Sequence, residues 1–194
     1  MVVARPKEFD RVTALKAAIT VFSDHGYEGT STDALLEAMR ICRQSMYDTF
    51  GDKRRLYLDA LQQYNADSVA DVIANLNTAS SPLAGLEAAL IAFASRPAHE
   101  SGLGCMGVAS ICEFGRSDPE VALLNETAAR TLHSAFERRV AEAKAAGEVA
   151  GDLDVRIAAE FIQATLAGIK VAARGGAAAE TLKNIARLAL RSLR

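Results

Sequence analysis

A short polar segment near the N-terminus carries side chains suited to hydrogen bonding with nucleic acid. Residues 43–50 (RQSMYDTF) place Met46 and Phe50 four positions apart, so on a helix both side chains face inward. The side chains left on the outer face are Arg43, Gln44, Ser45, Tyr47 and Asp48. Arginine and glutamine can read the edges of bases, whereas hydroxyl groups and cations hold phosphates. The segment is therefore typical of a helix that lies in the major groove of DNA.

The preceding stretch, residues 30–39, has the pattern of a second short helix. Thr30 and Asp33 fit the spacing of a capping box, and the adjacent hydroxyl groups allow a register displaced by one residue. The apolar positions that would face inward are Ala34, Leu35, Ala38 and Met39. The two segments predict a pair of short helices joined by a tight turn, with a phosphate-facing residue at each end.

An amphipathic helix is predicted before this pair. Its apolar side chains recur on one helical face at Val12, Leu15, Ile19 and Phe22. Gly26 can end this helix by adopting a positive φ, and the three short helices would then share one small core. Further upstream, Arg5 and Lys7 have two interpretations. The ordinary one is a solvated terminus, and the alternative is a basic arm that contacts phosphates or the minor groove.

Composition limits the classes of protein that this chain can represent. Among 194 residues, 50% are hydrophobic, 24% are charged, four are proline and none is tryptophan, which favours an all-α protein. A net charge of −2 argues against a generic polyanion binder, so any DNA contact must come from a local patch. Three cysteines without a secretory signal predict reduced thiols. No apolar run approaches the roughly 18 residues of a membrane span, so we expect a soluble cytoplasmic protein.

The rest of the chain is predicted to form a larger helical body. Pro, Gly and capping residues mark the ends of the predicted helices, and the whole sequence is expected to contain about nine of them. We expect a DNA-binding head at 1–52 and a body at 53–194. The last two helices carry more apolar surface than one neighbouring helix covers, which indicates a homodimer built on a four-helix bundle. The candidate interface residues are Phe161, Ile162, Ile169, Leu182, Ile185, Ala189 and Leu193.

The first sixty residues resemble the N-terminal DNA-binding domain of the TetR family of transcriptional regulators. The resemblance rests on features at fixed spacing, namely Phe22, Gly26–Tyr27, Thr30–Ser31, the pair Tyr47 and Phe50, and Lys53. It implies a homodimeric repressor whose helix pairs enter successive major grooves of a palindromic operator, roughly 34–36 Å apart. It also implies that an unknown small-molecule effector in the body releases the DNA.

The same resemblance assigns roles to individual residues. It implies base contacts by Arg43, Gln44, Ser45 and Asp48. It implies phosphate contacts by Thr30, Ser31, Tyr47, Thr49 and Lys53, and Thr32 completes the candidate set in this region. Two positions depart from the family pattern. Arg40 stands where the turn usually has Gly, at a cost on the order of 1 kcal/mol, and Cys42 stands where a better capping residue is usual.

A ligand pocket in the body is expected from the resemblance. Its candidate residues are Phe93, Cys105, Met106, Phe114, His133, Phe136, Gln163 and Leu166. Gly104–Cys105–Met106 is similar to a Gly-Cys-aliphatic segment in a branch of the family, some members of which sense electrophiles or oxidants. A thiol-switched repressor acting through Cys105 is therefore an alternative. The simpler interpretation is that Cys105 and Cys112 are small core residues.

Other functions find little support in the sequence. His99, Cys105 and Cys112 match no metal-ligand spacing, so no metal or cofactor is expected. No catalytic triad, HExxH motif, Gly-rich phosphate loop or paired carboxylates are visible, so we do not expect an enzyme. An all-helical enzyme or a lipid-binding module is the remaining alternative class.

Overall fold

The computed structural model describes residues 9–94 and 105–194. Over these two ranges the protein is all-helical, as predicted. The helices are α1 (Arg11–His25), α2 (Thr32–Met39), α3 (Arg43–Phe50), α4 (Lys53–Leu76), α5 (Pro82–Ala94), α6 (Met106–Phe114), α7 (Pro119–Ala145), α8 (Val155–Arg174) and α9 (Ala179–Arg191). No helix in the described ranges is long and apolar enough to cross a membrane.

Helices α1 to α3 form a small head around one apolar core. The Asp10 carboxylate caps α1 by accepting from the backbone N–H of Thr13 at 2.9 Å. The buried side chains of α1 are Ala14, Leu15, Ala18, Phe22 and Ser23. Val12, which the periodicity placed on the buried face, is 59% exposed instead. It lies in the first turn of α1, on the side away from this buried row.

The capping register at α2 is displaced by one residue from the Thr30–Asp33 spacing. Ser31 is the N-cap, and its hydroxyl accepts from the backbone N–H of Ala34 at 3.1 Å. Thr30 is 2% exposed, and its hydroxyl donates to the Gly26 carbonyl at 2.6 Å. Thr30 therefore closes the loop between α1 and α2, and its neighbour caps the helix.

Helix α4 belongs to two cores. Its first half packs Leu56, Tyr57 and Leu61 into the head, against Met46 and Phe50 of α3. Its second half contributes Val72 and Leu76 to the core of the body, together with buried side chains of α5, α7, α8 and α9. A displacement of either end of this 24-residue helix is therefore felt in the other core.

Candidate functional site

The outer face of α3 is exposed and polar. Arg43, Gln44, Tyr47 and Asp48 are exposed, while Met46 and Phe50 are buried at 0% and 5%. Ser45 and Thr49 are half-buried at the edges of the face. The buried pair fixes the helix on the head, so the polar row projects away from the protein, as required for insertion into a groove.

Three exposed polar side chains of α3, those of Arg43, Gln44 and Asp48, are paired with one another or with α2. Arg43 Nη2 donates to Asp33 Oδ1 at 2.6 Å, and Gln44 Nε2 donates to Asp48 Oδ1 at 2.8 Å. The Arg43–Asp33 contact is an exposed ion pair, which contributes about 0–1 kcal/mol to stability, and the exposed hydrogen bond of Gln44 is also weak in net terms because water competes for it. Base edges can therefore replace these partners at small cost, and the pairs hold both side chains near the groove-facing surface.

The turn between α2 and α3 contains both departures from the family pattern. Arg40 has φ 54° and ψ 43°, and it is the only residue other than glycine with positive φ in the described ranges. Cys42 is the N-cap of α3 and provides no side-chain cap hydrogen bond to the backbone. Its Sγ lies 3.2 Å from Ser45 Oγ, and this hydrogen bond lowers the pKa of the Cys42 thiol. Both helices form despite these substitutions.

The candidate phosphate contacts lie at the two ends of the helix pair. Ser31 is exposed at the N-terminus of α2, with Thr32 half-buried beside it. Lys53 begins α4, with Nζ 4.3 Å from the centroid of the Tyr27 ring. The Thr30 hydroxyl is buried and donates to the Gly26 carbonyl, so Thr30 presents little of its side chain to a phosphate. Arg5 and Lys7 lie outside the described residues.

Polar contacts that the sequence analysis missed join the head to the body. The Glu113 carboxylate of α6 accepts from the backbone N–H groups of Tyr27 at 2.9 Å and Glu28 at 2.7 Å. Arg174, at the end of α8, donates to the Ser23 carbonyl at 3.3 Å. Each contact links residues at least 85 positions apart, so no local spacing signals it.

Arg54 ties the start of α4 to the start of α7. Its guanidinium lies 2.6 Å from Asp118 Oδ2 and 2.9 Å from Glu120 Oε2. The hydrogen bond from Arg54 holds the pKa of the Asp118 carboxyl below its ordinary value, and both carboxylates raise the pKa of Arg54. The Asp118 carboxylate also accepts from two backbone N–H groups at the N-terminus of α7.

An aromatic cluster fills the same joint. The rings of Tyr27 and Phe114 lie 5.0 Å and 5.6 Å from the ring of Tyr57, measured between centroids. Phe22 approaches Tyr57 edge-on at 5.0 Å. Burial raises the pKa of the Tyr57 phenol. Phe114 was predicted in the ligand pocket, but it packs here, where aromatic pairs stabilise the contact between head and body.

The body contains a cavity of about 130 Å³ between α4, α6, α7 and α8. Its apolar lining includes Val69, Val108, Ile111, Ala128, Ala129, Leu132, Leu166 and Ala167. Its polar lining includes Tyr64, Asn65, Ser68, Cys105, Asn125, Gln163 and Lys170. Three of the eight predicted pocket residues thus line the cavity, namely Cys105, Gln163 and Leu166.

The other pocket candidates lie elsewhere. Met106 is fully buried in the core of the head, and Phe136 is fully buried in the core of the body. Both large side chains pack against other core residues. His133 lies along α7 with Nε2 3.7 Å from the Glu137 carboxylate. Phe93 packs against the body core, with Lys170 Nζ 5.4 Å from its ring centroid. Helical spacing predicts that such residues face inward. It does not show whether an inward-facing side chain packs in the core or lines the cavity.

The cysteines of α6 differ in environment. Cys105 is 8% exposed and caps α6, with its Sγ accepting from the Val108 N–H at 3.5 Å. It also lines the cavity. Cys112 is exposed, so the interpretation of both cysteines as core residues is wrong for Cys112. The two thiols therefore face different surroundings on one short helix.

The predicted dimer residues divide into two groups. Five of them are buried within their own chain, with exposures of at most 6%: Ile162, Ile169, Leu182, Ala189 and Leu193. Because these five side chains are enclosed by their own chain, they offer little surface to a partner. Phe161 and Ile185 are 42% and 39% exposed. Ile157 and Leu188, which are not among the candidate interface residues, are more exposed, at 63% and 68%.

Six exposed or small residues of the last two helices lie in one row on each helix. We call this surface the C-terminal apolar face, and it comprises Ile157, Phe161, Ala164 and Gly168 on α8 with Ile185 and Leu188 on α9. Residues three or four apart share one side of a helix, so the α8 row forms a continuous stripe. An added Cβ at Gly168 would meet nothing within 4 Å, so the backbone is open to a partner at this point.

A helix-turn-helix head, an exposed reading helix and a helical body with a cavity define a DNA-binding regulatory protein. Comparisons with known proteins identify its family. Residues 14–60 match the family model of the bacterial regulatory proteins of the tetR family. Residues 81–188 match the model of the Tetracyclin repressor-like C-terminal domain. The chain belongs to the TetR family of transcriptional regulators.

Individual relatives agree with this assignment. The chain is 34% identical over 169 residues to YezE of Bacillus subtilis, an uncharacterized HTH-type transcriptional regulator, covering 81% of this chain and 82% of YezE. It is 29% identical over 192 residues to the HTH-type transcriptional repressor ComR of Escherichia coli, covering 96% and 90% of the two chains. A CifR cysteine mutant complexed with 26-bp operator DNA is 31% identical, with a TM-score of 0.86 over 98% of this chain and 100% of that one.

Proposed function

We propose that the protein is a homodimeric transcriptional repressor that binds a two-fold symmetric operator and is released by a small-molecule effector. The observation that carries this proposal is the exposed polar face of α3, anchored from beneath by Met46 and Phe50. Similarity to CifR, which is complexed with operator DNA, supports it. The proposed place of action is the bacterial cytoplasm.

The proposed DNA contacts follow from exposure and side-chain chemistry. Arg43 and Gln44 would read bases, since their donors suit guanine and adenine edges, and Asp48 could accept from a cytosine amine. Ser31, Tyr47 and Lys53 would hold phosphates on either side of the groove. Thr32, Ser45 and Thr49 are half-buried at the margins and would supply further hydroxyl contacts.

The proposed dimer is formed by the C-terminal apolar face. Two copies of α8 and α9 meeting on this face would form a four-helix bundle with two-fold symmetry. Small residues at 164 and 168 would let the two α8 helices approach closely at the centre, with Phe161 and Leu188 around them. The symmetry of the dimer would then match a palindromic operator.

The proposed effector site is the cavity of the body. With the domain boundary between residues 52 and 53, the whole of α4 would belong to the body. The first half of α4 packs in the head core, so a displacement of α4 by the effector would reach the head. Helix α6 offers a second route, because it lines the cavity and also holds the α1–α2 loop through Glu113. A coupling free energy of about 1–3 kcal/mol between effector and operator would suffice for release.

A promoter assay tests this function. Genomic fragments retained by the protein would be placed before a reporter gene in a host that lacks the regulator. Expression of the wild type should lower reporter output, whereas expression of Tyr47→Ala or Lys53→Ala should restore it. Equal repression by the wild type and both variants would contradict the residue assignment, and increased output would indicate an activator.

A thiol switch at Cys105 is a second candidate function, because Cys105 lines the proposed effector cavity. The test uses a background in which the exposed cysteines are removed, Cys42→Ser/Cys112→Ser. N-ethylmaleimide should release operator DNA from this background and not from the same protein carrying Cys105→Ser. Retention of DNA by both proteins would exclude the switch.

A further inference from the structure

Lys170 is the only charged side chain among the described residues that line the body cavity. It projects from the last turns of α8. The remaining described lining is apolar or carries neutral amide, hydroxyl and thiol groups. The described part of the lining is therefore electropositive at one wall and neutral elsewhere.

The ammonium group of Lys170 has hydrogen-bonding capacity to spare. Its Nζ donates to Ser68 Oγ at 3.3 Å and lies 5.4 Å from the centroid of the Phe93 ring. An ammonium has three donors, and a hydroxyl and a ring satisfy it only in part. No carboxylate of the described residues forms an ion pair with it. Partial burial of a cation costs desolvation free energy, and an anion beside the cation offsets part of that cost.

The amides of the cavity are largely engaged with the protein. Asn65 Nδ2 donates to Asn125 Oδ1 at 3.2 Å, and Asn125 Nδ2 donates to Ser110 Oγ at 2.9 Å. Gln163 Nε2 donates to the Ala129 carbonyl at 3.1 Å. These bonds fix the side chains, and among the described lining residues they leave Lys170 as the strongest donor available to a ligand.

We propose that the body cavity binds a small amphipathic anion, with its carboxylate at Lys170 and its apolar part among Val69, Val108, Leu132 and Leu166. A neutral apolar ligand would cover the ammonium without supplying a counter-charge, and a cationic ligand would be repelled by it. This inference rests on the proposed function, in that the ligand would act as the effector. Its test measures binding in the absence of DNA.

The experiment is calorimetric titration of the full-length protein with two probes of the same shape. 1-Naphthoate carries the anion, and 1-naphthamide is its neutral counterpart. The wild type should bind the anion about tenfold more tightly, and Lys170→Met should remove this preference while changing the affinity for the amide little, as expected for one charge-assisted contact. Lys183→Met, which replaces a half-buried lysine of α9 outside the cavity, is the matched control.

Two variants locate the site. Ala128→Phe should fill the cavity and abolish binding of both probes, with thermal unfolding used to show that it folds. Equal affinity of the wild type for the two probes, an equal loss of both in Lys170→Met, or no binding of either probe would overturn the proposal. Binding of 1-naphthoate without any effect on operator affinity would support the anion site and contradict release by this ligand.

Discussion

Glu113 Oε2 lies 2.9 Å from the backbone nitrogen of Tyr27, so the third turn of α6 is hydrogen-bonded to the loop that leads into α2. The same short helix lines the body cavity with Val108 and Ile111. One helix thus contacts both the proposed effector site and the loop that carries Ser31. A ligand that displaces α6 would change the orientation of the head through this contact.

Replacement of Glu113 is expected to weaken operator binding. Glu113→Ala leaves two backbone N–H groups without their partner, and because the site is exposed to water we expect a loss of about 1 kcal/mol, or roughly fivefold in operator affinity. Fluorescence anisotropy with a selected operator measures it. Glu113→Gln should be intermediate, and Glu126→Ala, at an exposed glutamate of α7, should have no effect. Unchanged affinity in Glu113→Ala would remove this contact from the coupling route.

Arg40→Gly is expected to stabilise the protein. Arg40 occupies the left-handed region with φ 54°, where a Cβ is unfavourable. Relief of this strain, offset by the greater entropy of glycine in the unfolded chain, should raise the free energy of unfolding by about 0.5–1 kcal/mol. Urea unfolding at pH 7 measures the change. Arg40→Lys keeps the strain and should show no gain, and equal stability of both variants would contradict the argument.

Loss of Lys53 is expected to reduce the salt dependence of operator binding. A phosphate contact releases about one counterion, so the slope of log affinity against log salt should fall in magnitude by about 0.9 in Lys53→Met. Titrations between low and moderate salt measure the slope. Lys16→Met removes an exposed charge from α1 and should leave the slope unchanged. A wild-type slope in Lys53→Met would show that this side chain only packs on Tyr27.

A charge placed in the C-terminal apolar face is expected to dissociate the dimer. Phe161→Asp and Leu188→Asp would each bury an unpaired carboxylate between subunits, at a cost of several kcal/mol. Sedimentation velocity should show monomers for both variants at concentrations where the wild type is dimeric. Val12→Asp, at a residue of the head that is 59% exposed, is the control and should remain dimeric. Dimers in all three variants would place the interface elsewhere.

The ion pair between Arg54 and Asp118 is expected to make stability depend on pH. The folded-state pKa of Asp118 lies below its ordinary value of 3.8, so its contribution is present above that pH and is lost as the pH falls through the folded-state pKa. Asn still caps α7, so Asp118→Asn removes chiefly the ion pair. The difference in unfolding free energy between wild type and variant should be largest near pH 7 and shrink below pH 4. A pH-independent difference would point to the cap instead.

Local spacing was sufficient to predict the helices and the exposed polar face of α3. The pair Met46 and Phe50 identified the buried side of α3, and capping residues located most helix starts. Periodicity was less reliable where a helix has two apolar faces. Phe161 and Ile162 are adjacent in sequence, yet one is exposed and the other fully buried. Only the packing of α8 on the body distinguishes them.

Contacts between distant segments could not be predicted from the sequence. Tyr27 and Glu113 are 86 residues apart, and neither shows by type or spacing that a carboxylate will hold a backbone loop. Lys170 likewise has the sequence context of an ordinary lysine near a helix end. Only the packing of α4 and α6 against α8 places it in the lining of the cavity. The head follows strong local rules, whereas the body depends on long-range packing, so only three of the eight pocket candidates line the cavity.

Selection of duplex DNA from a random-sequence library, followed by mass measurement of the complex, tests the central claim most directly. The account predicts enrichment of one two-fold symmetric site that binds an even number of protomers, with half-sites contacted through α3. Arg43→Ala should lose base preference within the half-site. Failure to enrich any sequence, or binding of single protomers to unrelated duplexes with equal affinity, would contradict a dimeric operator-binding repressor.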